Sequence, residues 1–344
     1  GGVLIAAIKS DGTELWTKPF EGWPSVTASI KTENQIQNIL TNTIKVYGGA
    51  FSWNYDFNGD AKGDVLISGD VYINGIHYHG LEAVRGDNGQ TLWKAGIGNG
   101  WLYPYSPVDD TNGDGIREVL VSYEESFWQD SQYVTIYRTL ILDGSGGNEL
   151  FNVSERLLSE YLDWDGDGTK EFFTYDGYNV YKRNADGSVV WSYALGNYNE
   201  VGATKGLVVY GFNHTGSNGS IKIVKLDSSG NEVWTLMKNY TDWESIEPYP
   251  VGDLNGDWVV DYACFSLWMW IEHWGYVPYV FAINGADGSI FWEMVDTTLH
   301  FIGDFDGDGK GDVFTSEYSN NGTGLRGDDL SNIFNVSSNG YLGL

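Results

Sequence analysis

The chain has 344 residues, with 47 Asp+Glu against 19 Lys+Arg and a formal net charge of −28. So acidic a surface excludes nucleic acid as a partner, because binding phosphates needs clustered basic groups. A content of 42% hydrophobic and 15% aromatic residues excludes a disordered chain, no apolar run reaches the roughly 18 residues of a membrane helix, and the lone Cys264 allows neither an internal disulfide nor a Cys-based metal site.

Taken in chain order, two motifs alternate. The first is an apolar strand, a Gly-containing turn and a strand ending in an aromatic residue, over residues 6–16 and closing at Trp16. The second is an acidic loop, Asp56-Phe57-Asn58-Gly59-Asp60 with Asp64. The turn-and-aromatic motif returns at Trp93, and a second acidic loop follows, Asp110, Asn112, Asp114 and Glu118. Phe151 then precedes the third loop, Asp163, Asp165, Asp167 and Glu171. Trp191 and Trp234 flank a decayed copy near residues 202–210, which keeps its strand and lacks the carboxylates. The fourth loop is Asp253, Asn255, Asp257 and Asp261; Trp292 follows, and the fifth is Asp304, Asp306, Asp308 and Asp312. Successive loops start 54, 53, 90 and 51 residues apart, the long gap spanning the decayed copy. The turns carry Gly, Asn and Asp, which tolerate positive φ in hairpins. The intervening runs are short and rich in branched residues, as strands are; residues 154–161 offer at most one helical turn.

Units of about 50 residues with about four strands each have the size of propeller blades. The expected fold is therefore an all-β β-propeller, with six blades favoured and seven possible because residues 19–55 exceed the other linkers. The motif order suggests that both termini share one blade, residues 1–16 completing the unit begun by the fifth loop. The propeller then occupies residues 1–318. Residues 319–344 are a C-terminal tail that packs on its own ring or on a neighbouring subunit, where strand addition to a blade edge would build a filament.

The pattern D-x-[DN]-G-D-x-x-x-[DE] resembles the FG-GAP/VCBS repeats of integrin α-subunit propellers and of many secreted microbial proteins. The resemblance implies that these loops bind calcium. The turn-plus-Trp strands resemble the repeat of PQQ-type propellers, in which the Trp docks one blade on the next. Two loops depart from the pattern after the third acidic position, with Ala61 and Trp258 where Gly is usual.

Elementary chemistry points the same way. Calcium takes 6–8 oxygens at about 2.3–2.6 Å, and the carboxylates or amides at loop positions 1, 3, 5 and 9 supply them. An EF-hand would need a Glu at position 12, where Ile67, Val121, Thr174, Cys264 and Thr315 stand. Position 9 is thus expected to close the cage. The alternative is a set of metal-free Asx turns, but three or four carboxylates in one turn repel without a cation.

No Gly-x-Ser-x-Gly, HExxH or phosphate-binding motif is present, and no catalytic residue is assigned. His77 and His79 alternate across Tyr78 and share a strand face, either as metal or acid–base groups or as a polar pair on an outer hairpin. The aromatic stretches 268–276 and 123–137 are read as packing surfaces or as sugar-stacking edges. N-x-[ST] sequons at Asn152, Asn213, Asn218, Asn239, Asn321 and Asn335 are candidate glycosylation sites. A start at Gly1 fits a mature extracellular or cell-surface chain. The functional expectation is an adhesive or structural calcium-binding propeller with about five Ca²⁺, partnered by itself or by another surface protein or glycan. A secreted polysaccharide-binding or polysaccharide-cleaving propeller is the alternative.

Overall fold

The computed structural model describes residues 3–8, 13–20, 25–28, 55–215, 218–241, 247–271, 275–317 and 321–337. Every regular element among them is a strand, and within each sheet consecutive strands are neighbours and pair antiparallel. Tight turns make this possible: Val65–Ile73 returns as Ile76–Val84 through Asn74 and Gly75, both at positive φ (53° and 79°), as a two-residue type I′ hairpin requires.

A two-stranded sheet opens the chain, β1 (Val3–Ile8) with β2 (Glu14–Phe20). Six four-stranded sheets follow. They are β3–β6 (Ser25–Ala28, Val65–Ile73, Ile76–Val84, Thr91–Gly98) and β7–β10 (Trp101–Val108, Glu118–Gln129, Gln132–Leu142, Glu149–Val153). Next come β11–β14 (Arg156–Leu157, Phe172–Tyr175, Asn179–Arg183, Val189–Ala194) and β15–β18 (Glu200–Thr204, Val208–Thr215, Asn218–Leu226, Glu232–Thr241). The last two are β19–β22 (Glu247–Gly252, Asp261–Ile271, Gly275–Ile283, Ile290–Val295) and β23–β26 (Thr297–Gly303, Asp312–Glu317, Asn321–Arg326, Asn332–Ser337).

The chain divides into two compact units, one of Gly1–Leu162, Thr169–Asp176 and Tyr181–Val190, the other of Asp163–Gly168, Gly177–Val180 and Trp191–Leu344. In each, the apolar cores lie between successive sheets. In the first unit Leu66, Leu81 and Trp93 meet Val121, Tyr123 and Leu140, and Leu120 and Ile141 meet Leu157 and Phe172. In the second, Phe212, Ile223 and Trp234 meet Tyr262, Cys264 and Phe281, and Ala263, Val280 and Trp292 meet Val313. Burial pushes the Cys264 thiol pKa well up, so it packs as a small apolar group.

An aromatic residue on β2 and on the fourth strand of each blade but the last docks on the next hairpin. Trp16 Nε1 donates to the Gly86 carbonyl at 2.9 Å and Trp93 to Gly144 at 2.6 Å. In the second unit Trp191 donates to Ser228 at 3.1 Å, Trp234 to Gly285 at 2.9 Å and Trp292 to Gly327 at 2.7 Å. The ring covers the turn glycine: a Cβ on Gly147, itself at φ 71°, would fall 2.5 Å from the Trp93 ring. Phe151 covers Gly187 in the same way, without an N–H to give. Four-stranded meanders stacked in chain order through such contacts are propeller blades, and the chain is an all-β protein of the β-propeller class.

Two expectations are corrected here. Among the described residues, β1 and β2 form a sheet of their own and do not complete the final blade. Residues 321–337 are no separate tail, since β25 pairs with β24 and β26 with β25, filling the last blade from within the same chain. The decayed copy behaves as expected: β15 passes to β16 through a short turn with Leu207 at φ 58°, where other blades carry the acidic loop.

Candidate functional site

The five acidic loops each join the first strand of a blade to its second. They share one backbone course. Position 4 is Gly at φ 72–83° in all five (Gly59, Gly113, Gly166, Gly256, Gly307). Position 6 also has positive φ throughout: Gly115, Gly168 and Gly309 at 85–90°, and Ala61 and Trp258 at 61° and 67° despite their side chains. A non-Gly residue there costs roughly 1–2 kcal/mol, so the surroundings impose the loop shape.

Those surroundings are hydrogen bonds to the acidic side chains. The position-1 carboxylate accepts the position-6 N–H in every loop, for example Ala61 to Asp56 at 2.8 Å and Trp258 to Asp253 at 2.7 Å. The position-3 oxygen of Asn58, Asn112, Asp165, Asn255 or Asp306 accepts the N–H of position 5 at 2.9–3.2 Å. Asp60, Asp114, Asp257 and Asp308 accept the N–H of position 7 at 2.8–2.9 Å. The Ile116 N–H, first among several donors, holds the Asp114 carboxyl below its ordinary pKa. At Asp253 burial pushes upward, and the loop N–H groups outweigh it, so its pKa is lowered.

Position 9 differs from the others. Asp64, Glu118, Glu171, Asp261 and Asp312 are all buried, at 0–2% exposure, at the start of a strand or just before one. One Asp261 oxygen accepts the Leu254 N–H of its own loop at 2.7 Å, and the other accepts the Gly285 N–H of the following hairpin, also at 2.7 Å. Asp64 bridges Phe57 and Gly86 (2.9 and 3.1 Å), and Glu118 bridges Thr111 and Gly144 (3.0 and 3.1 Å). Burial raises the pKa of Asp64, Asp261 and Asp312. Glu171 forms a buried ion pair with Lys182 at 2.8 Å. At Asp64, Glu118 and Asp261 position 9 is therefore a staple between loop and hairpin, its oxygens already accepting backbone N–H groups.

The partner glycine is a residue that reading the sequence passed over. The Gly285 N–H serves Asp261 while its carbonyl receives the Trp234 indole, so one residue ties the acidic loop to the preceding blade. Nothing larger fits: a Cβ on Gly285 would lie 1.8 Å from the Val260 carbonyl oxygen at loop position 8. Gly86, Gly144 and Gly327 meet Gly63, Arg117 and Gly311 in the same way, at 1.8–2.1 Å. Their recurrence in Arg85-Gly86-Asp87, Asp143-Gly144-Ser145, Asn284-Gly285-Ala286 and Arg326-Gly327-Asp328 was the available signal.

The loops offer hard oxygen donors. One oxygen each from Asp163, Asp165 and Asp167 lie within 4.8 Å of one another, as do oxygens from Asp304, Asp306 and Asp312. Donors on opposite sides of a calcium ion stand about 4.6–5.2 Å apart, twice the bond length, so both groups fit such an ion. In the first, second and fourth loops the Asn58, Asn112 or Asn255 amide oxygen takes the place of one carboxylate. Three loops have a cationic side chain on one of their carboxylates: Arg85 reaches Asp60 at 2.7 Å, Arg326 reaches Asp306 at 2.6 Å, and Lys182 reaches Glu171 at 2.8 Å.

Other expected groups lie elsewhere. His77 and His79 face Asp70 on β4 and β5. Among the sequons, Asn152, Asn239 and Asn335 are exposed on β10, β18 and β26, the fourth strands of their blades. Asn213 is half-buried and accepts the Asn199 N–H, whereas the side chains of Asn218 and Asn321 lie outside the described residues. Residues 268–271 and 275–276 lie on β20 and β21 about their turn, and the side chains of the whole 268–276 stretch are outside the described residues. In the 123–137 stretch, Tyr123 is buried while Trp128 and Tyr133 are 73% and 64% exposed and pack edge to face.

No family model and no curated protein matches the sequence. Among solved structures, the chain is similar to BamB from Moraxella catarrhalis, at 12% identity and TM-score 0.38 over 80% of this chain and 83% of that one. It is similar to a eukaryotic initiation factor at 9% identity and TM-score 0.42, covering 78% of this chain and 62% of the other. A third likeness is the quinohemoprotein alcohol dehydrogenase ADHIIG from Pseudomonas putida HK5, at 12% identity and TM-score 0.36 over 69% of this chain and 44% of the enzyme. The chain thus spans under two thirds of the initiation factor and under half of the dehydrogenase. Likenesses this distant bring no function with them; the propeller class rests on the sheets and Trp contacts of the chain itself.

Proposed function

We propose that the protein is an extracellular calcium-binding β-propeller with an adhesive or structural role at a surface or in a filament. The observation that carries this reading is the fivefold recurrence of one loop geometry, with exposed or half-buried oxygen donors at positions 1, 3 and 5 and strained Ala61 and Trp258 conforming to it. In this reading positions 1, 3, 5 and 9 of each loop hold one Ca²⁺, whose chemical contribution is charge neutralisation. Five ions would bring the formal charge from −28 to −18. Because Asp64, Glu118 and Asp261 at position 9 also hold the hairpin that receives the preceding Trp, ion binding in those loops is coupled to blade–blade packing within each unit. An ion that binds only the native state stabilises it by about 2.7 kcal/mol at a concentration one hundred times its Kd. Extracellular calcium, near the millimolar level, is sufficient for weak loop sites of this kind.

The partners in this reading are further copies of the chain or another surface protein or glycan. Asn152, Asn239 and Asn335, exposed on fourth strands, are the sequons we assign to glycosylation first; a glycan on an edge strand also blocks unwanted strand pairing. The test is a thermal melt after EDTA treatment and again with calcium restored. A rise of several degrees supports the reading, and coincident curves overturn it.

A second reading, a polysaccharide-binding or polysaccharide-cleaving propeller, is favoured by the exposed rings of Trp101, Tyr103, Trp128 and Tyr133. Flat aromatic faces suit sugar stacking. Retardation on polysaccharide-containing gels, lost in Trp128→Ala, would support it.

A further inference from the structure

We infer that Asp70, His77 and His79 form a binding site for a divalent transition-metal ion such as Zn²⁺ or Cu²⁺, separate from the acidic loops. β4 and β5 create the site through their register. Asp70 is paired directly with His79 and Tyr72 with His77, so the two imidazoles and the carboxylate share one face of the hairpin. The Asp70 Oδ1 atom lies 3.1 Å from His77 Nε2 and 3.5 Å from His79 Nδ1. Two ligands of a tetrahedral zinc ion with bonds of about 2.0–2.1 Å stand about 3.3 Å apart. The two carboxylate–imidazole separations bracket that value, whereas the two imidazole donors start more than 4.8 Å apart.

The two imidazole centroids are 5.7 Å apart, so the rings must turn toward each other to share an ion. They have room, since the side chains are 43% and 28% exposed and the adjustment needs no backbone movement. Aromatic side chains line both ends of the pair: Tyr72 lies 5.3 Å from His77 and Trp101 lies 5.6 Å from His79, centroid to centroid. Water completes the coordination at the open face. Nitrogen donors distinguish this site from the oxygen-only loops, because imidazole favours zinc and copper whereas carboxylate and amide oxygens favour calcium. It is also remote from the nearest loop. Asp70 is six residues beyond Asp64 along an extended strand, roughly 20 Å at about 3.3 Å per residue.

The site does not depend on the calcium reading, and its test keeps the two apart. Full-length protein is saturated with Ca²⁺ and titrated with Zn²⁺ by calorimetry. A parallel sample receives one equivalent of Cu²⁺ for electron paramagnetic resonance. The expected result is one zinc site, together with a copper spectrum that shows hyperfine coupling to imidazole nitrogen. His77→Ala and His79→Ala should each weaken zinc by roughly tenfold or more and reduce the nitrogen coupling from two imidazoles to one, while His300→Ala changes neither. Asp70→Asn, which preserves size, should weaken zinc and keep the nitrogen signal. Unchanged zinc affinity in the His77→Ala/His79→Ala double variant, or a copper spectrum with oxygen ligands alone, would overturn the inference. Circular dichroism confirms that each exposed substitution leaves the fold intact.

Discussion

Replacing Asp261 by Ala tests whether position 9 staples loop to hairpin. The carboxylate is fully buried and accepts two N–H groups, from Leu254 and Gly285, each at 2.7 Å. Its removal leaves both donors without a partner in the protein, at about 1–3 kcal/mol each, so the expected loss is roughly 2–6 kcal/mol. Unfolding entropy of about 2.1 cal/mol/K per residue gives roughly 0.7 kcal/mol/K for a chain of this length. The melting temperature should therefore fall by about 3–8 °C if the chain melts as one. Asp261→Asn keeps one acceptor oxygen but turns an NH₂ toward the second donor, so its loss should be intermediate. The assay is a thermal melt by circular dichroism in EDTA, which removes any contribution from bound cation. An Asp261→Ala protein that melts within about 1 °C of wild type would refute the staple.

Gly285→Ala should cost more than Gly75→Ala, because the added methyl meets the Val260 carbonyl oxygen at 1.8 Å whereas Gly75 has open space and pays only for its φ of 79°. The difference, roughly 1–3 kcal/mol, is read from paired urea curves. Arg326→Gln removes the cation that reaches Asp306 at 2.6 Å and should tighten calcium at the fifth loop by a few fold, measured by calorimetry; weaker binding would mean that the arginine helps to build the site. For pH, the Ser289 hydroxyl and then its backbone N–H hold the Asp287 carboxyl below its ordinary pKa. A depressed carboxyl stabilises above about pH 4 and loses that contribution on further acidification, so Asp287→Asn should flatten the acid limb of melting temperature against pH. Asp64, Asp261 and Asp312 are raised by burial; in EDTA their contribution has the opposite sign, present below about pH 4 and lost as pH rises through their folded values.

Repeats made much of the fold legible. The five acidic loops and the aromatic strand ends recur at blade spacing, and Trp16, Trp93, Phe151, Trp191, Trp234 and Trp292 all pack on the following hairpin. The last blade was hidden for a physical reason. Asn321-Gly322-Thr323-Gly324 has poor strand propensity, yet it is β25, because aromatic rings occupy the space that its missing side chains leave. A Cβ on Gly322 would fall 2.3 Å from the Phe314 ring, and one on Gly324 2.4 Å from Phe334. Its hairpin is also disguised, since Leu330 at φ 59° stands where other turns have Gly.

The acidic loops show a different limit. Spacing alone identifies which residues are acidic, and it cannot tell an exposed carboxylate from a buried one. Position 9 looks like a fourth ligand in the sequence. For Asp64, Glu118 and Asp261 the second partner is a glycine 22–26 residues later, brought back by a hairpin whose closeness no local pattern encodes. The pair of His residues was visible as a shared strand face, whereas Asp70 joined them only through the register of β4 with β5.

Calcium stoichiometry tests the central claim most directly. The full chain is dialysed against buffered calcium at about 1 mM, the level of extracellular sites, freed of unbound ion, and analysed for bound metal by elemental mass spectrometry. The account predicts about five Ca²⁺ per chain, falling by about one when Asp304 and Asp306 are both replaced by Ala. A calcium content at the level of a non-binding control protein would contradict it.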